Sequence, residues 1–326
     1  MDATTRQPAP DLLIVVVNYR TPAMTCDCLR SLESEVRALP ERVRVVVVDN
    51  GSGDGSAEAL REAMAAERWQ NWVELLVLEE NLGFAGGNNR GIARHPNARD
   101  VLLLNSDTLM HAGTLRHCLD ALHARRDVGA LACRLLSRDG SPQTMARPFP
   151  TPLRQTAATL GLPWHWPSLF GWADLERLAP DHHTRPRRVD WLGGAFVLLR
   201  GEALRQVGLL DETFFFYGED IELCHRLHRA GWRCWYDPTV TLTHFGGGSS
   251  DPARIDDRRR NTAFWQARYL VQRQCYGRLA ATWLRSVDLI ACSLRLLALR
   301  CRGRAQSPRY AQTAELWRML RKPLTS

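Results

Sequence analysis

Five side chains in this chain stand where their chemistry can be used: Asp49, Asp107, Glu219, Asp220 and His244. Asp107 closes the stretch Val-Leu-Leu-Leu-Asn-Ser-Asp-Thr at residues 101–108. The apolar run reads as a strand buried on both faces. Asn105-Ser106-Asp107 then falls beyond its carboxyl end, where open α/β sheets hold ligands. A carboxylate there is a good oxygen ligand for Mg²⁺ or Mn²⁺, ions that in turn hold a diphosphate. It would serve equally as an Asx-turn or as the cap of a helix starting near His111. Asp49 can accept the imide N–H of uracil or thymine, or simply shape the turn before Gly51. Glu219 and Asp220 open a helical pattern, where carboxylates act as electrostatic caps. The preceding Phe214-Phe215-Phe216-Tyr217 is an apolar wall that can instead raise a carboxyl's pKa toward a base's working range. His244 reads as a structural histidine or, before Gly246-Gly247-Gly248-Ser249-Ser250, as a metal or phosphate contact.

These groups need a scaffold that brings strand ends together. Residues 12–17, 43–48 and 73–78 are β-rich apolar runs separated by helical patterns, and residues 101–104 make a fourth. Strand–helix alternation at this spacing predicts βαβ units with right-handed crossovers, hence an α/β fold with a mostly parallel, Rossmann-like sheet and helices on both faces. The Gly-x-Gly-x-x-Gly fingerprint is missing after the first strand, which argues against a dinucleotide-binding dehydrogenase. Gly83, Gly86 and Gly87 either let backbone approach a ligand or serve packing. Residues 130–190 read as a long Pro- and Trp-punctuated insertion with some helix near 152–162, and its Trp164, Trp166 and Trp172 suit sugar stacking or plain packing. Order returns at Trp191-Leu192-Gly193-Gly194. Residues 232–236 and 239–243 read as two strands, and Ile221, Cys224 and Leu227 form one helical face.

A chain of 326 residues, 45% hydrophobic and 24% charged, is an ordinary globular protein with room for one large domain and an appendage. Its net charge of +8 rests almost wholly on arginine, whose planar fork suits diphosphate; Lys322 is the sole lysine. Nine cysteines without a Cys-x-x-Cys pair predict reduced thiols and a cytoplasmic protein. The polar residues 1–10 show no signal peptide, and no apolar run is long enough to span a membrane. Residues 1–250 are expected to form the catalytic domain and 251–326 a basic, amphipathic helical extension. In the extension, Arg254, Arg258–Arg260 and Arg300, Arg302, Arg304 and Arg309 flank apolar helical patterns interrupted by Arg285, Asp288 and Arg295. Such helices lie on anionic membranes; a helical hairpin packed on the domain, or an oligomer contact, is the other reading.

Eight motifs in order carry a resemblance over residues 12–250: Val-Val-Asn-Tyr-Arg-Thr, Val-Val-Asp-Asn-Gly-Ser, Asn-Leu-Gly-Phe-Ala-Gly-Gly-Asn-Asn, Leu-Leu-Asn-Ser-Asp, Gly-Gly-Ala-Phe, Gly-Glu-Asp-Ile-Glu-Leu-Cys, Gly-Trp and His-Phe-Gly-Gly-Gly-Ser. The chain resembles a family-two glycosyltransferase, and within that family the bacterial rhamnosyltransferase branch. The resemblance implies a GT-A fold, an inverting reaction, a divalent metal (Mg²⁺ or Mn²⁺) and a nucleotide-diphosphate sugar donor, dTDP-rhamnose first and a UDP-sugar second. It implies that Asp49 binds the donor base between Val17 and Tyr19, with Asn88 and Ser106 near the nucleotide. Asp107 and His244 would hold the metal, with Asn105 where many relatives have a first Asp. Asp220 would be the catalytic base, Trp191, Gly193, Gly194 and Glu219 would face the acceptor, and Glu222 replaces an Asp common in this branch. The acceptor implied is a cell-surface glycan or polyprenyl-diphosphate-linked saccharide, met at the cytoplasmic face of the inner membrane.

Other classes fit less well. A nucleotidyltransferase usually opens with a Gly-rich basic loop after the first strand, and Asn18-Tyr19-Arg20-Thr21 supplies none. A non-catalytic sugar-nucleotide-binding protein would be expected to lose Asp107 or Asp220. Nucleic-acid binding lacks any recognisable module, so no nucleic-acid partner is expected.

Overall fold

The computed structural model describes residues 8–175, 184–246 and 257–321. Residues 247–250 of the glycine–serine run and Arg254 lie outside the described residues, as do residues 1–7 and the side chains of Arg258, Arg259 and Arg260. The chain forms two compact units, Met1–Arg147 with Ala179–Asp257, and Pro148–Leu178 with Arg258–Ser326. Part of the expected insertion thus belongs with the C-terminal helices.

The first unit opens with β1 (Leu12–Asn18), α1 (Pro22–Ala38), β2 (Val43–Asn50), α2 (Ser56–Ala66), β3 (Val73–Leu78), α3 (Gly83–Arg94) and β4 (Asp100–Asn105). It continues through β5 (Thr108–Met110), α4 (Thr114–His123), β6 (Val128–Leu136), β7 (Pro142–Gln143) and β8 (Ala146–Arg147). The second unit contributes α5 (Pro152–Thr159), α6 (Leu162–His165) and α7 (Pro167–Phe170). The chain then returns to the first unit for β9 (Arg187–Val189), β10 (Trp191–Leu192), β11 (Phe196–Arg200), α8 (Gly201–Val207), α9 (Glu219–Arg229) and β12 (Arg233–His244).

The main sheet runs β3-β2-β1-β4-β11-β6-β12-β5. From β3 to β4 every pairing is parallel, while β11 enters antiparallel to both β4 and β6. Residues 12–16 of β1 and 45–48 of β2 are buried isoleucine, leucine and valine on both faces, so these stretches read as unbroken apolar runs rather than alternating ones. Residues 232–236 and 239–243, expected as two strands, are one. Its register slips between Asp237 and Thr241, a bulge that accommodates Pro238, which has no N–H to give the ladder. Helix α3 lies tight on β1 and β2 because Gly91 has no side chain: a Cβ there would stand 2.5 Å from Val15 Cγ1. On α9 the buried apolar face is Leu223, Cys224 and Leu227, with Ile221 only half-buried. All nine cysteines are free thiols.

The second unit is completed by α10 (Asp257–Tyr276), α11 (Arg278–Cys301) and α12 (Pro308–Arg321). Its core gathers Tyr269, Leu284, Cys292 and Leu320, with Trp265, Leu289 and Trp317 packed against them. Asp288, an interruption in the apolar pattern of the sequence, is buried here. It accepts from Tyr269 Oη at 2.6 Å and Thr159 Oγ1 at 2.7 Å, and pairs with Arg268 at 3.3 Å. No helix among the described residues is long and apolar enough to cross a membrane.

Candidate active site

The parallel strands deliver their carboxyl ends to one edge. Asn18 and Asp49 stand in register at the tips of β1 and β2, and Asn18 Nδ2 donates to Asp49 Oδ1 at 2.7 Å. Ser52 Oγ donates to the same oxygen at 2.5 Å. Asp49 therefore braces its own turn through Oδ1, while Oδ2 has no hydrogen-bond partner among the described residues. Both uses read from the sequence fit one carboxylate. Thr21 and Thr25 both donate to Asn18 Oδ1, which fixes the amide with Nδ2 toward Asp49. Val17 touches the same region, since a Cβ on Gly87 would lie 3.1 Å from it. Tyr19 carries the Arg20 guanidinium 5.1 Å from its ring centre. Ser106 Oγ stands 3.5 Å from Thr21 Oγ1, joining the β4 tip to the β1 tip. Asn88 is buried in α3 and donates to the Phe84 carbonyl at 2.9 Å. Gly87 and Gly91 have the packing role, and Gly83 has another. Its φ of +73° suits glycine, and a Cβ would meet the Phe215 carbonyl oxygen at 2.3 Å.

Asp107 does not cap the next helix. The first N–H groups of α4 are taken by Glu35, whose carboxylate accepts from Gly113 at 2.7 Å and Leu115 at 2.9 Å. Instead Asp107 Oδ1 lies 3.3 Å from His244 Nε2, brought there by the antiparallel β5–β12 pairing that sets Thr108 opposite His244. Gln143 explains the imidazole's orientation. Its Nε2 donates to the His244 carbonyl at 2.8 Å and to Ser137 Oγ at 3.1 Å, which turns Oε1 to Nδ1 at 2.7 Å. Nδ1 is then the protonated nitrogen, and Nε2 presents its lone pair toward Asp107. Asn105 Nδ2 also reaches Nε2, at 3.3 Å. The two acceptors, with the Asn105 amide beside them, are placed where they could share a divalent cation. A carboxylate and an imidazole of fixed tautomer fit a divalent metal. No cluster of three or more His, Cys, Asp or Glu able to hold one occurs among the described residues.

Asp220 lies in the first turn of α9 behind Tyr217 and Gly218, both left-handed at φ +69° and +97°. Its Oδ1 accepts from the Ile221 N–H at 2.8 Å and its Oδ2 from the Gly194 N–H at 3.2 Å. The next residue, Ala195, accepts the Asn105 N–H at 3.0 Å, so one backbone step links this carboxylate to the β4 tip. Burial pushes the Asp220 carboxyl up to about 6, against the lowering effect of these N–H groups and of the Arg147 charge. Glu219 is pushed higher, first by burial and then by the charge of Asp220. Its Oε2 is buried and has no hydrogen-bond partner among the described residues. The pair therefore holds a single negative charge at neutral pH, on Asp220. Trp191 and Arg147 face each other across the β8–β10 pair, the guanidinium 5.8 Å from the ring centre. The Gly193 N–H donates to the Met145 carbonyl at 2.9 Å, and a Cβ on Gly194 would press on the Phe84 ring at 3.3 Å. Glu222 turns away to grip Arg226, which donates to the Val207, Gly208 and Leu209 carbonyls and so closes the end of α8.

Gln143 and Arg147 carry no signal in the sequence, because both lie on two-residue strands in a stretch without periodicity. The structure gathers three groups of side chains: Asn18–Asp49–Ser52, Asn105–Asp107–His244–Gln143, and Glu219–Asp220 with Gly194 and Arg147.

Residues 8–277 match the model of the glycosyltransferase-like family 2. An N-acetylglucosaminyl-diphospho-decaprenol L-rhamnosyltransferase of Mycobacterium tuberculosis is 34% identical over 259 residues, covering 74% of this chain and 80% of the relative. A low-salt glycan biosynthesis hexosyltransferase, Agl10 of Haloferax volcanii, is 30% identical across 67% of this chain and 62% of the relative. Among solved structures, the mannosyltransferase PcManGT from Pyrobaculum calidifontis, in complex with GDP-Man and Mn²⁺, superposes with a TM-score of 0.55 at 18% identity. It covers 97% of this chain and 89% of the other.

Proposed function

This chain belongs to the glycosyltransferase-like family 2, and from that premise we propose that it transfers L-rhamnose from dTDP-rhamnose, with inversion, to a hydroxyl of a lipid-linked saccharide. The observation that carries the reading is Asp220: a half-buried carboxylate with a raised pKa, ionised at neutral pH and tied through Gly194 and Ala195 to the strand that leads to Asp107. Asp220 takes the proton of the acceptor hydroxyl as its oxygen bonds to the anomeric carbon. The bond from that carbon to the diphosphate breaks, its electron pair leaving with the nucleoside diphosphate. One base suffices for a single displacement. Glu219, neutral beside it, offers a hydroxyl for an acceptor oxygen. Asp49 Oδ2 accepts from the donor's base, and Val17, Tyr19, Asn88 and Ser106 border the nucleotide. Asp107 and His244 would hold a divalent cation, which when bound neutralises charge on the departing diphosphate. Trp191, Gly193 and Gly194 line the acceptor side.

The rhamnose and the diphospholipid acceptor rest on the mycobacterial relative, and the metal on the Asp107–His244 pair together with the Mn²⁺-bound neighbour of the same fold. Free thiols and a nucleotide-sugar donor fit the cytoplasm, and a lipid-linked acceptor fits its membrane face. The test is a donor screen with the full chain, Mg²⁺ or Mn²⁺, and a polyprenyl-diphosphate-linked N-acetylglucosamine acceptor. Acceptor-dependent release of dTDP from dTDP-rhamnose is expected, with slower or no release from UDP- and GDP-sugars. No release from any nucleotide sugar would overturn the reading.

A further inference from the structure

Helix α11 is apolar on two opposite sides. Ala281, Leu284 and Cys292 face inward with Asp288 between them. Leu279, Trp283, Ile290, Leu294 and Leu297 recur at helical spacing on the other side and are between 58% and 87% exposed. At 100° per residue these five fall within one narrow stripe. A water-facing stripe of this kind lacks the polar residues that an ordinary surface helix presents. The stripe widens onto α5. Trp283 Nε1 donates to Thr156 Oγ1 at 3.1 Å, and Leu153 and Leu160, three before and four after Thr156, are exposed as well.

Charge identifies what covers it. Between Arg258 and Ser326 stand fifteen arginines and lysines against two acidic residues, Asp288 and Glu315. Asp288 is already paired with Arg268. The segment's excess of positive charge is larger than the +8 of the whole chain, so the remainder is net acidic. A second copy would bring the same cationic segment against itself and be repelled. An anionic bilayer attracts it and solvates the stripe in its acyl boundary.

We propose that the outer face of α11, with the adjoining face of α5, inserts into the headgroup–acyl boundary of an anionic membrane, the helix lying in the plane and not spanning it. The contact is therefore hydrophobic as well as electrostatic, and residues 279, 283, 290, 294 and 297 hold it. It does not depend on which sugar the enzyme transfers.

The test uses the full chain with vesicles of phosphatidylcholine containing phosphatidylglycerol. Pelleting is expected, falling but persisting at high salt, because the apolar part is not screened. The variant Ile290→Ser/Leu294→Ser/Leu297→Ser, substituted only at exposed positions, is expected to lose partitioning by at least a hundredfold. Each apolar side chain kept from lipid costs about tenfold. Circular dichroism and transfer to a short-chain, water-soluble acceptor check the same variant. Unchanged pelleting of the variant would overturn the proposal. So would a full-length protein that ignores the vesicles but elutes as a dimer that the variant abolishes. Lost pelleting with retained transfer supports it, whereas absent transfer in the wild type overturns the rhamnosyl reading and leaves the vesicle result standing.

Discussion

His244 Nε2 and Asp107 Oδ1 lie 3.3 Å apart, and it is Gln143, on the far side of the ring, that makes the imidazole nitrogen an acceptor like the carboxylate it faces. A residue that sets a tautomer acts through the ligand it orients, so its loss should weaken metal binding without touching metal.

Gln143→Leu is expected to reduce Mn²⁺ affinity in the presence of dTDP by about 10–100-fold, measured by calorimetry. Gln143→Glu, which still accepts from Nδ1, should recover much of it. His244→Ala and Asp107→Ala should lose at least as much as Gln143→Leu. Unchanged affinity in all four variants would show that the cation sits elsewhere.

Asp220→Asn keeps the size of the side chain and, through its one remaining oxygen, one of the two N–H contacts, while removing its basicity. Turnover is expected to fall by about 10²–10⁴-fold with dTDP-rhamnose affinity nearly unchanged. A variant with wild-type turnover removes Asp220 from the role of base.

The rate should rise with pH through about 6, where Asp220 ionises, and level off above. Arg147 favours the charged form, so Arg147→Ala raises that carboxyl further. The acid limb is expected to move to higher pH, with the plateau rate changed little. An acid limb that stays in place would mean that Arg147 does not act on Asp220.

Glu219 bears on stability. Its folded pKa is raised to about 8 from an ordinary 4.5. Folding is therefore unpenalised below pH 4.5 and increasingly penalised from there up to about 8, because the unfolded carboxyl ionises while the folded one keeps its proton. Glu219→Gln should raise stability at pH 8.5 by an amount on the order of 1 kcal/mol or more, read as a higher Tm, and change it little at pH 4.5. A gain of equal size at both pH values would rule out ionisation as its source.

The sheet and its active edge were legible in the sequence wherever an apolar run stopped abruptly at an acid or amide, as at Asn18, Asp49 and Asp107. There the local pattern and the tertiary role coincide. His244 was legible only as an end to a strand, since its partner Asp107 lies across a pairing that periodicity cannot show. Gln143 and Arg147 were invisible because their roles come wholly from distant contacts. Glu222, a departure from the family's pattern, is explained by Arg226 and the end of α8. The basic C-terminal pattern was visible, but the outward apolar side of α11 was not. A helical repeat tells that two faces are apolar, not which of them stays uncovered.

The sheet order also governs how this protein is born. Strands β1 to β4 pair with one another in parallel and leave the ribosome together, so half of the sheet can assemble early. Yet β4, which ends in Asn105, waits for β11, which begins at Phe196, to cover its other side. Throughout that interval of synthesis the strand that leads to Asp107 is an open edge with an apolar centre, Val101–Leu104, a template for wrong pairing. Slow translation or heat between those two points should therefore harm this chain more than the same stress after β11 has emerged.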